Sequence, residues 1–340
     1  MSAVLTGGTR LWLAMKKIAL AHLPTPLWHN PVLDELVGCE VWIKRDDMTS
    51  GAAAGNKIRK LEYLLGDAVE RRATTVLTCG GIQSNHARAT AIAARELGLR
   101  SVLILRTADG KPPTTATGNV LLELMVGAEL RFVTVEQYGR RESVMNEVAH
   151  ALDARGERAY VIPEGGSNGI GAQGYVDAMQ EVREQLDRSD GFPSSFDAVA
   201  FACGSGGTAA GCVLGARAFG VAPQVHAFAV CDDVATFEAI IDRIISQALQ
   251  IRPAPGAMAD RFVHDRWKGP AYGVPSEEQR QFILEVGRRT GLILDPVYSG
   301  KALFGLSRLD PRPKRVLFIH TGGLPGLLAQ AEAMVPPNRR

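Results

Sequence analysis

The sequence has few of the features that mark membrane-embedded, nucleic-acid-binding, disulfide-bonded or metal-binding proteins. None of its apolar runs approaches the roughly 20 residues that a membrane-spanning helix needs. Its 38 basic and 36 acidic residues leave a formal net charge of +2, which gives no electrostatic case for binding nucleic acid or an anionic membrane. The cysteines include no CxxC pair and the histidines no HxxxH pair, so we expect neither a disulfide framework nor a metal site.

What remains is the composition of an ordinary soluble protein, with 46% hydrophobic and 22% charged residues in 340. This length allows about two domains, each with a sizeable core. Five dispersed cysteines favour reduced thiols, so we expect a cytoplasmic protein. A short segment after Met15 superficially resembles a secretion signal, but His22 and Pro24 interrupt it and we expect no export. Met15 as an alternative start would leave residues 1–14 as a loose extension.

Short apolar, β-branched segments alternate with helical patterns along most of the chain. The predicted strands cover residues 75–77, 101–105, 130–133, 160–162, 198–201, 225–230 and 316–319. Between them apolar residues recur at helical spacing, as in residues 58–68. This alternation predicts an α/β fold with parallel-rich, twisted sheets flanked by helices. The glycine-rich turn at 163–169 and the segment 50–54 are candidates for crossings between two domains.

A loop of small polar residues follows one predicted strand and begins a predicted helix; it reads Cys203-Gly204-Ser205-Gly206-Gly207-Thr208. Its glycines let the backbone approach an anion, and the free N–H groups of the helix N-terminus point at it. The loop also satisfies the GxGxxA pattern of dinucleotide binding, but Asp232 comes late and off register after the next strand. A mere tight turn would not need so many small polar residues. The pattern therefore predicts a phosphate-binding loop.

One lysine stands where a predicted strand gives way to an amphipathic helix. Lys57 follows Gly55-Asn56, and the apolar face of the helix begins at Ile58. Lysines are usually solvated surface charges, and Lys44 and Lys60 are nearby. Partial burial at a helix N-terminus, however, disfavours the charged amine and so favours the neutral nucleophile that a Schiff base requires.

Two further groups of polar residues stand at the ends of predicted strands or turns. Gln83, Ser84 and Asn85 precede a predicted helix and present donors suited to a substrate carboxylate, although Ser84 can also be an ordinary N-cap. Tyr298 and Thr321 lie where α/β active sites usually form, but taken singly they are more often structural. A lysine, a phosphate loop and a donor cluster are together what a pyridoxal-phosphate enzyme needs.

Six separate blocks occur in an order that one known family shares. They are Ile43-Lys44-Arg45-Asp46-Asp47, Gly55-Asn56-Lys57, Gln83-Ser84-Asn85-His86, Tyr272-Gly273-Val274-Pro275, Asp295-Pro296-Val297-Tyr298 and His320-Thr321-Gly322-Gly323. With these blocks the chain resembles the D-cysteine desulfhydrase/1-aminocyclopropane-1-carboxylate deaminase family, of pyridoxal-phosphate fold type II. The resemblance implies a homodimer of two-domain subunits with the cofactor between the domains. The small domain would be residues 51–165, and residues 1–50 with 166–340 would form the large cofactor-binding domain.

The resemblance also implies roles toward the cofactor. Lys57 is similar to the lysine that carries pyridoxal phosphate as a Schiff base, and the loop from Cys203 to Thr208 is similar to its phosphate site. Asn85 resembles the residue that bonds the phenolic oxygen of the cofactor. Ser299 and Thr321 are hydroxyls at positions that face the ring nitrogen.

Roles toward the substrate follow from the same resemblance. The carboxylate site would consist of Gln83, Ser84, Asn85 and His86. Tyr272 and Tyr298 match tyrosines that face the substrate, and we expect Lys57, Ser84 and these two tyrosines to be catalytic. No metal is implied.

Two positions distinguish the subfamilies. The deaminases have glutamate after the tyrosine and leucine after the histidine, where this chain has Ser299 and Thr321, as in the desulfhydrases. A neutral hydroxyl at the ring leaves a weaker electron sink, which suffices for expelling a good β-leaving group. The resemblance thus implies α,β-elimination from D-cysteine, with L-cysteate sulfo-lyase and 1-aminocyclopropane-1-carboxylate deaminase as alternatives. A non-catalytic pyridoxal-phosphate-binding protein and a nicotinamide-dependent oxidoreductase are alternatives of other classes.

Overall fold

The computed structural model describes residues 15–188 and 191–335, so the extension expected at residues 1–14 lies outside the described residues. The strands of the described residues are β1 (Leu27–His29), β2 (Glu40–Lys44), β3 (Thr75–Gly81), β4 (Arg100–Arg106), β5 (Glu129–Val133), β6 (Ala159–Val161), β7 (Ala198–Cys203), β8 (Gln224–Ala229), β9 (Asp260–His264) and β10 (Arg315–Ile319).

The α-helices in the same ranges are α1 (Pro31–Val37), α2 (Asn56–Glu70), α3 (Asn85–Glu96), α4 (Gly118–Met125), α5 (Val135–Gly139), α6 (Arg141–Asp153), α7 (Gly169–Arg188), α8 (Gly207–Gly215), α9 (Val234–Ile251), α10 (Glu277–Thr290), α11 (Ser299–Ser307), α12 (Leu324–Leu328) and α13 (Ala331–Met334). Short 3-10 helices occupy Asp46–Met48 and Glu164–Gly166. No helix in these ranges is both long enough and apolar enough to cross a membrane.

The strands form two sheets. One has the order β1-β2-β10-β7-β8-β9, in which only the β1–β2 pairing is antiparallel, and the other has the all-parallel order β5-β4-β3-β6. The predicted parallel-rich α/β fold is confirmed, and each predicted strand overlaps an observed one. The edge strands β1 and β9 were not predicted, because β1 is short and β9 is exposed at several positions, so neither has a continuous apolar run.

The two sheets occupy different parts of the chain. All strands of the four-stranded sheet lie between residues 75 and 161, inside the proposed small domain, whereas the six-stranded sheet takes strands from both sides of it. The proposed boundaries at 51 and 165 themselves stay a prediction. Helices α7, α8 and α9 pack on one another over the larger sheet, and α2 of the smaller unit packs against α7.

A buried network of charges ties α2 to the larger sheet. Arg59 of α2 forms a bidentate ion pair with Asp46, at 2.8 and 2.9 Å. It forms a second bidentate ion pair with Glu181 of α7, with both distances 2.9 Å. Lys44 at the end of β2 contacts the same Glu181 at 2.5 Å, and the Tyr175 hydroxyl donates to Asp46 at 2.6 Å. Arg59 is 1% exposed and Asp46 is fully buried, so the pairing operates out of water.

We expect Asp46→Asn to lower the free energy of unfolding by about 3–5 kcal/mol, because breaking one member of a buried ion pair leaves a charge uncompensated. In this variant the two cations Arg59 and Lys44 share the single carboxylate of Glu181. Urea denaturation followed by circular dichroism measures the change.

The control is the neighbouring Asp47→Asn, which breaks the 2.6 Å pair of Asp47 with Arg45 in a half-buried setting. Pairs of this kind contribute about 0–1 kcal/mol. Equal losses in both variants would contradict the importance that we assign to the buried network.

Candidate active site

A cavity of about 360 Å³ opens where β3, β4 and β7 end. Its wall contains residues of both sheet units. The predicted site residues among them are Lys57, Ser84, His86, Gly204, Ser205, Tyr272 and Tyr298. The structure therefore brings together residues from four of the six sequence blocks and from the glycine-rich loop, whereas the remaining predicted residues do not line this cavity.

Lys57 occupies the first turn of α2 and its amine faces the cavity. The preceding residue, Asn56, donates to the hydroxyl of Thr208 at 3.1 Å, which fastens the start of α2 to the glycine-rich loop. The amine of Lys57 lies 3.4 Å from the carbonyl oxygen of Gly165. Burial lowers the pKa of Lys57 to about 8, an effect that nearby Glu164 only partly offsets. A sizeable fraction of this lysine is thus neutral and nucleophilic near neutral pH.

The glycine-rich loop forms a cradle of donors at the start of α8. Gly206 precedes the helix with φ +80°, a conformation that favours glycine, and the first helical amides point toward the loop opening. The Ser167 hydroxyl donates to Ser205 at 2.8 Å and accepts from the Gly207 amide at 3.2 Å. Hydroxyls and free amides at a helix N-terminus are the groups that bind a phosphate.

Lys60 adds a positive charge to this cradle. The side chain is 1% exposed, and its amine donates to the Gly165 carbonyl and the Ser167 hydroxyl, each at 3.2 Å. A Cβ atom on Gly207 would lie 2.8 Å from the same amine, so Lys60 reaches the first turn of α8. No carboxylate pairs with Lys60 in the described ranges, and burial followed by the charge of Lys57 lowers its pKa well below the usual value. A phosphate dianion would supply the missing negative charge, so this donor set fits the cofactor's phosphate.

Lys60 is a site residue that was not predicted from the sequence. Its spacing from Lys57 could have predicted it, because residues i and i+3 of a helix face the same way. Ser167 carried a weaker signal, since only its place in the glycine-rich turn after β6 marks it.

The N-terminus of α3 forms the side of the cavity next to β3. Ser84 is the N-cap and accepts from the Ala87 amide at 3.2 Å, so the ordinary capping role and the place in the cavity wall coexist. A Cβ atom on Gly80 would collide with the Ser84 side chain, which explains the glycine there. The first amides of α3 have no intrahelical acceptor and are available to a carboxylate.

Gln83 and Asn85 hold the start of α4 with their side-chain oxygens. The Asn119 amide donates to Gln83 Oε1 at 2.9 Å, and the Asn119 side chain donates to Asn85 Oδ1 at 3.1 Å. This bonding leaves the amide nitrogen of Asn85 as a donor for other groups. The roles predicted for Gln83 and Asn85 toward substrate and cofactor stay predictions.

His86 is bonded to the protein through one ring nitrogen. The Thr78 hydroxyl donates to the Ile162 carbonyl at 2.8 Å, so His86 Nε2, 2.9 Å away, donates to that hydroxyl. The other nitrogen, Nδ1, is buried and has no hydrogen-bond partner among the described residues. Burial, and then the charges of Lys57 and Lys60, lower the pKa of His86 well below its usual value, so the ring is neutral.

Two tyrosines contact each other in the cavity wall. The hydroxyls of Tyr272 and Tyr298 are 2.5 Å apart, and their rings meet edge to face. Burial raises the pKa of Tyr272 to about 12 and that of Tyr298 well above its usual value, so both phenols keep their protons at neutral pH. Either hydroxyl can donate to the other, which leaves one proton free to be donated to a ligand.

Ser299 and Thr321 lie behind the cavity wall. Ser299 is fully buried, and its hydroxyl bonds the Asp295 carboxylate at 2.6 Å. The same carboxylate accepts from the backbone amides of residues 297, 298 and 299 at 2.7–2.9 Å. Thr321 contributes its backbone oxygen, which accepts from the Asn56 amide at 3.1 Å. Bonds from these hydroxyls to a cofactor ring stay predictions.

Several cavity residues were not predicted from the sequence. Glu164 accepts from the Tyr138 hydroxyl at 2.5 Å and pairs with Arg141 at 3.0 Å, and Arg106 lies over the Tyr138 ring. These residues come from three separate segments, so no spacing in the sequence relates them. Of these residues only Arg106 could have been predicted from the sequence, because it is a charged residue directly after a predicted apolar strand.

Comparison with known proteins agrees with this geometry. Residues 18–322 match the family described as pyridoxal-phosphate dependent enzyme. The chain is 42% identical over 321 residues to a putative 1-aminocyclopropane-1-carboxylate deaminase of Thermotoga maritima, covering 94% of this chain and 100% of the relative. It is 43% identical over 331 residues to the mitochondrial bifunctional D-cysteine desulfhydrase/1-aminocyclopropane-1-carboxylate deaminase of Arabidopsis thaliana, covering 93% and 80%.

A solved structure of an ACC deaminase homologue superposes with a TM-score of 0.82 at 35% identity, covering 94% of this chain and 95% of that one. The chain therefore belongs to the pyridoxal-phosphate dependent enzymes of fold type II, in the family of 1-aminocyclopropane-1-carboxylate deaminases and D-cysteine desulfhydrases. Pyridoxal phosphate is its cofactor, as the sequence predicted.

We expect Lys60→Met to weaken phosphate binding without destabilising the cofactor-free protein. Replacing a buried ammonium that has no carboxylate partner by an apolar side chain is neutral or stabilising. The same change removes a charged donor from the cradle, so the rise in melting temperature on adding inorganic phosphate or pyridoxal phosphate should shrink. Thermal unfolding with and without each ligand measures both effects.

Lys111→Met, which removes an exposed lysine of the smaller unit, is the control and should leave the ligand-induced rise unchanged. A Lys60→Met protein that gains as much stability from phosphate as the wild type would show that Lys60 takes no part in the cradle.

Proposed function

We propose that the protein is a carbon–sulfur lyase that converts D-cysteine and water to pyruvate, hydrogen sulfide and ammonia by α,β-elimination. The observation that carries the proposal is at position 299. A serine stands there, and its hydroxyl is bonded to Asp295. This position therefore brings no carboxylate to the cofactor ring, which suits a reaction that expels a good leaving group rather than one that opens a carbon ring.

The residues of the cavity divide the remaining work. Pyridoxal phosphate, when bound, supplies a ring that accepts electrons from the substrate Cα. The Lys57 amine, with its pKa of about 8, is matched to taking and holding the Cα proton near neutral pH. Ser84 and the free amides of α3 are placed to orient the substrate carboxylate. The pair of Tyr272 and Tyr298 keeps a proton available beside the reacting atoms.

Two other substrates of the same site have specific support. The relative from Thermotoga maritima and the solved homologue are both named for the deaminase activity. The segments Tyr298-Ser299-Gly300-Lys301 and His320-Thr321-Gly322-Gly323 resemble those of L-cysteate sulfo-lyases. Ser299 argues against the deaminase, whereas no residue named so far separates cysteine from cysteate.

The test is to incubate purified holoenzyme with D-cysteine, L-cysteine, L-cysteate and 1-aminocyclopropane-1-carboxylate. We expect pyruvate and equimolar sulfide from D-cysteine, and little 2-oxobutyrate from the cyclopropane substrate. Lys57→Ala should reduce turnover by more than about a thousandfold and remove the visible absorbance of the lysine-bound cofactor, because it removes both the attachment point and the base.

Pyruvate and sulfite from L-cysteate alone would replace the substrate and keep the site assignments. Efficient 2-oxobutyrate formation would overturn the argument from Ser299. If the protein binds pyridoxal phosphate through Lys57 but converts none of the four substrates, the alternative of a non-catalytic pyridoxal-phosphate-binding protein would be supported.

We also propose that the protein is a homodimer. An exposed apolar surface, formed by Leu121, Leu124 and Met125 of α4 with Leu324 and Leu328 of α12, supports this proposal. Met125 is 73% exposed and Leu328 65%, and an adjoining apolar groove of about 540 Å³ lies between α10, α12 and α13. Contiguous apolar surface of this kind marks protein interfaces.

The double variant Met125→Glu/Leu328→Glu should yield monomers, because two carboxylates would be buried without partners in the dimer. Light scattering coupled to size-exclusion chromatography measures the mass of wild type and variant. Met258→Glu, at an exposed methionine on the loop before β9, is the control and should stay dimeric. A monomeric wild type, or a dimeric double variant, would contradict the proposed interface.

For the compartment we propose the cytoplasm. All five cysteines are free thiols, as expected in a reducing environment. The relative from Arabidopsis thaliana is named as mitochondrial. Expression of the tagged chain followed by cell fractionation would therefore show which compartment contains the protein.

A further inference from the structure

Besides Lys57, a second cation on the cavity wall has no anionic partner among the described residues. Arg141 is paired with Glu164 at 3.0 Å, and Asp232 accepts from the Cys231 thiol at 3.2 Å. The guanidinium of Arg106 lines the same cavity and has neither a hydrogen bond nor an ion pair within residues 15–188 and 191–335. The guanidinium is half-buried and faces the cavity, so its five N–H donors are available to an anionic ligand that enters it.

Two aromatic rings hold Arg106 in place. Its guanidinium carbon lies 5.0 Å from the centre of the Tyr138 ring and 5.7 Å from that of Tyr272. Such contacts fix the orientation of a guanidinium without using its N–H donors or neutralising its charge. Tyr272 is in turn hydrogen-bonded to Tyr298. The unpaired guanidinium of Arg106 therefore lies beside the two tyrosines that are predicted to face the substrate.

The two anionic groups already assigned have their own receptors. The cofactor phosphate has the cradle with Lys60, and the substrate carboxylate has the free amides of α3. Arg106 stands apart from the cradle, at the end of β4 and level with Gly81 at the end of β3. A Cβ atom on Gly81 would lie 3.8 Å from Arg106 Nη2 and 3.5 Å from the Tyr272 ring. The guanidinium is therefore surplus to both sites and available to a third anionic group.

We propose that Arg106 is a specificity-determining residue that binds the β-substituent of the substrate, so that the site selects amino acids whose β-substituent carries a negative charge or leaves with one. This inference rests on the proposed elimination and deepens it. In that reaction the Cβ–S bond breaks and sulfur keeps the electron pair, leaving as hydrosulfide. The electron pair of the Cα–H bond forms the Cα–Cβ double bond, and Lys57 takes the proton.

A guanidinium directed at the departing sulfur stabilises the charge that develops on it. A sulfonate or carboxylate in the same place would be bound already in the ground state. The ring carbons of 1-aminocyclopropane-1-carboxylate offer no such charge, so that substrate gains nothing from Arg106.

The binding test uses holoenzyme and two ligands of one shape, aspartate with its β-carboxylate and asparagine with its neutral amide, each as both enantiomers. Isothermal titration calorimetry should show wild type preferring aspartate by at least about tenfold, as expected for a charge-assisted hydrogen bond. Arg106→Gln should abolish that preference. Arg106→Lys, which keeps the charge but loses the planar fork, should retain part of it. Arg155→Gln removes an exposed arginine of the same unit and is the control that should keep it in full.

A wild type that binds aspartate no better than asparagine, or an Arg106→Gln protein that keeps the preference, overturns the inference. Turnover gives a second measurement: Arg106→Gln should lower kcat/KM for D-cysteine at least about tenfold, whereas the control Arg155→Gln should not. The melting temperature of each variant verifies that it is folded. If D-cysteine is not a substrate but the preference for aspartate depends on Arg106, the proposed substrate is wrong, whereas the role of Arg106 in binding an anionic β-substituent is supported.

Discussion

The active site depends on the buried ion pair between Arg59 and Asp46. Arg59 lies two residues after Lys57 in the same helix, and its network reaches the end of β2, the 3-10 turn that follows it and helix α7. The position of the reactive lysine is therefore fixed by contacts with three elements of the larger unit. Because Lys44, Arg59, Asp46 and Glu181 carry two charges of each sign, this part of α2 is electrically balanced, which makes the burial of its charges tolerable.

The opposite side of the same helix is not balanced. Burial disfavours the charged forms of Lys57 and Lys60, the charge of Lys57 further disfavours that of Lys60, and within the described residues neither has a carboxylate in contact. Such an arrangement costs free energy in the empty protein and is relieved when an anion arrives. The phosphate of the cofactor would thus supply the negative charge that the buried amines of Lys57 and Lys60 lack. In this view the lowered pKa of Lys60 and its suitability for a phosphate have one common origin, a buried positive charge that no carboxylate offsets.

The sequence predicted those parts of the molecule that depend on local patterns. Continuous apolar runs located the central strands, and glycines next to small polar residues located the loops after β3 and β7. It missed Lys60, Ser167 and Arg106, whose roles exist only because the fold joins segments far apart in the chain. It also placed Ser299 at the cofactor ring without its partner Asp295, since a hydrogen bond inside a turn leaves no periodic signal.

The environments of Asp295 and Arg106 together constrain the chemistry. Asp295 could in principle have acted as an acid near the cofactor, but its carboxylate accepts four hydrogen bonds from the turn that begins α11. If this turn faces the cofactor ring as predicted, it brings no free carboxylate to it, and in the proposed reaction the barrier would then be lowered at the leaving group. Arg106 offers an unpaired positive charge for that purpose. The cyclopropane substrate has no anionic β-substituent for Arg106 to bind, so both features support the proposed elimination of an anionic β-substituent.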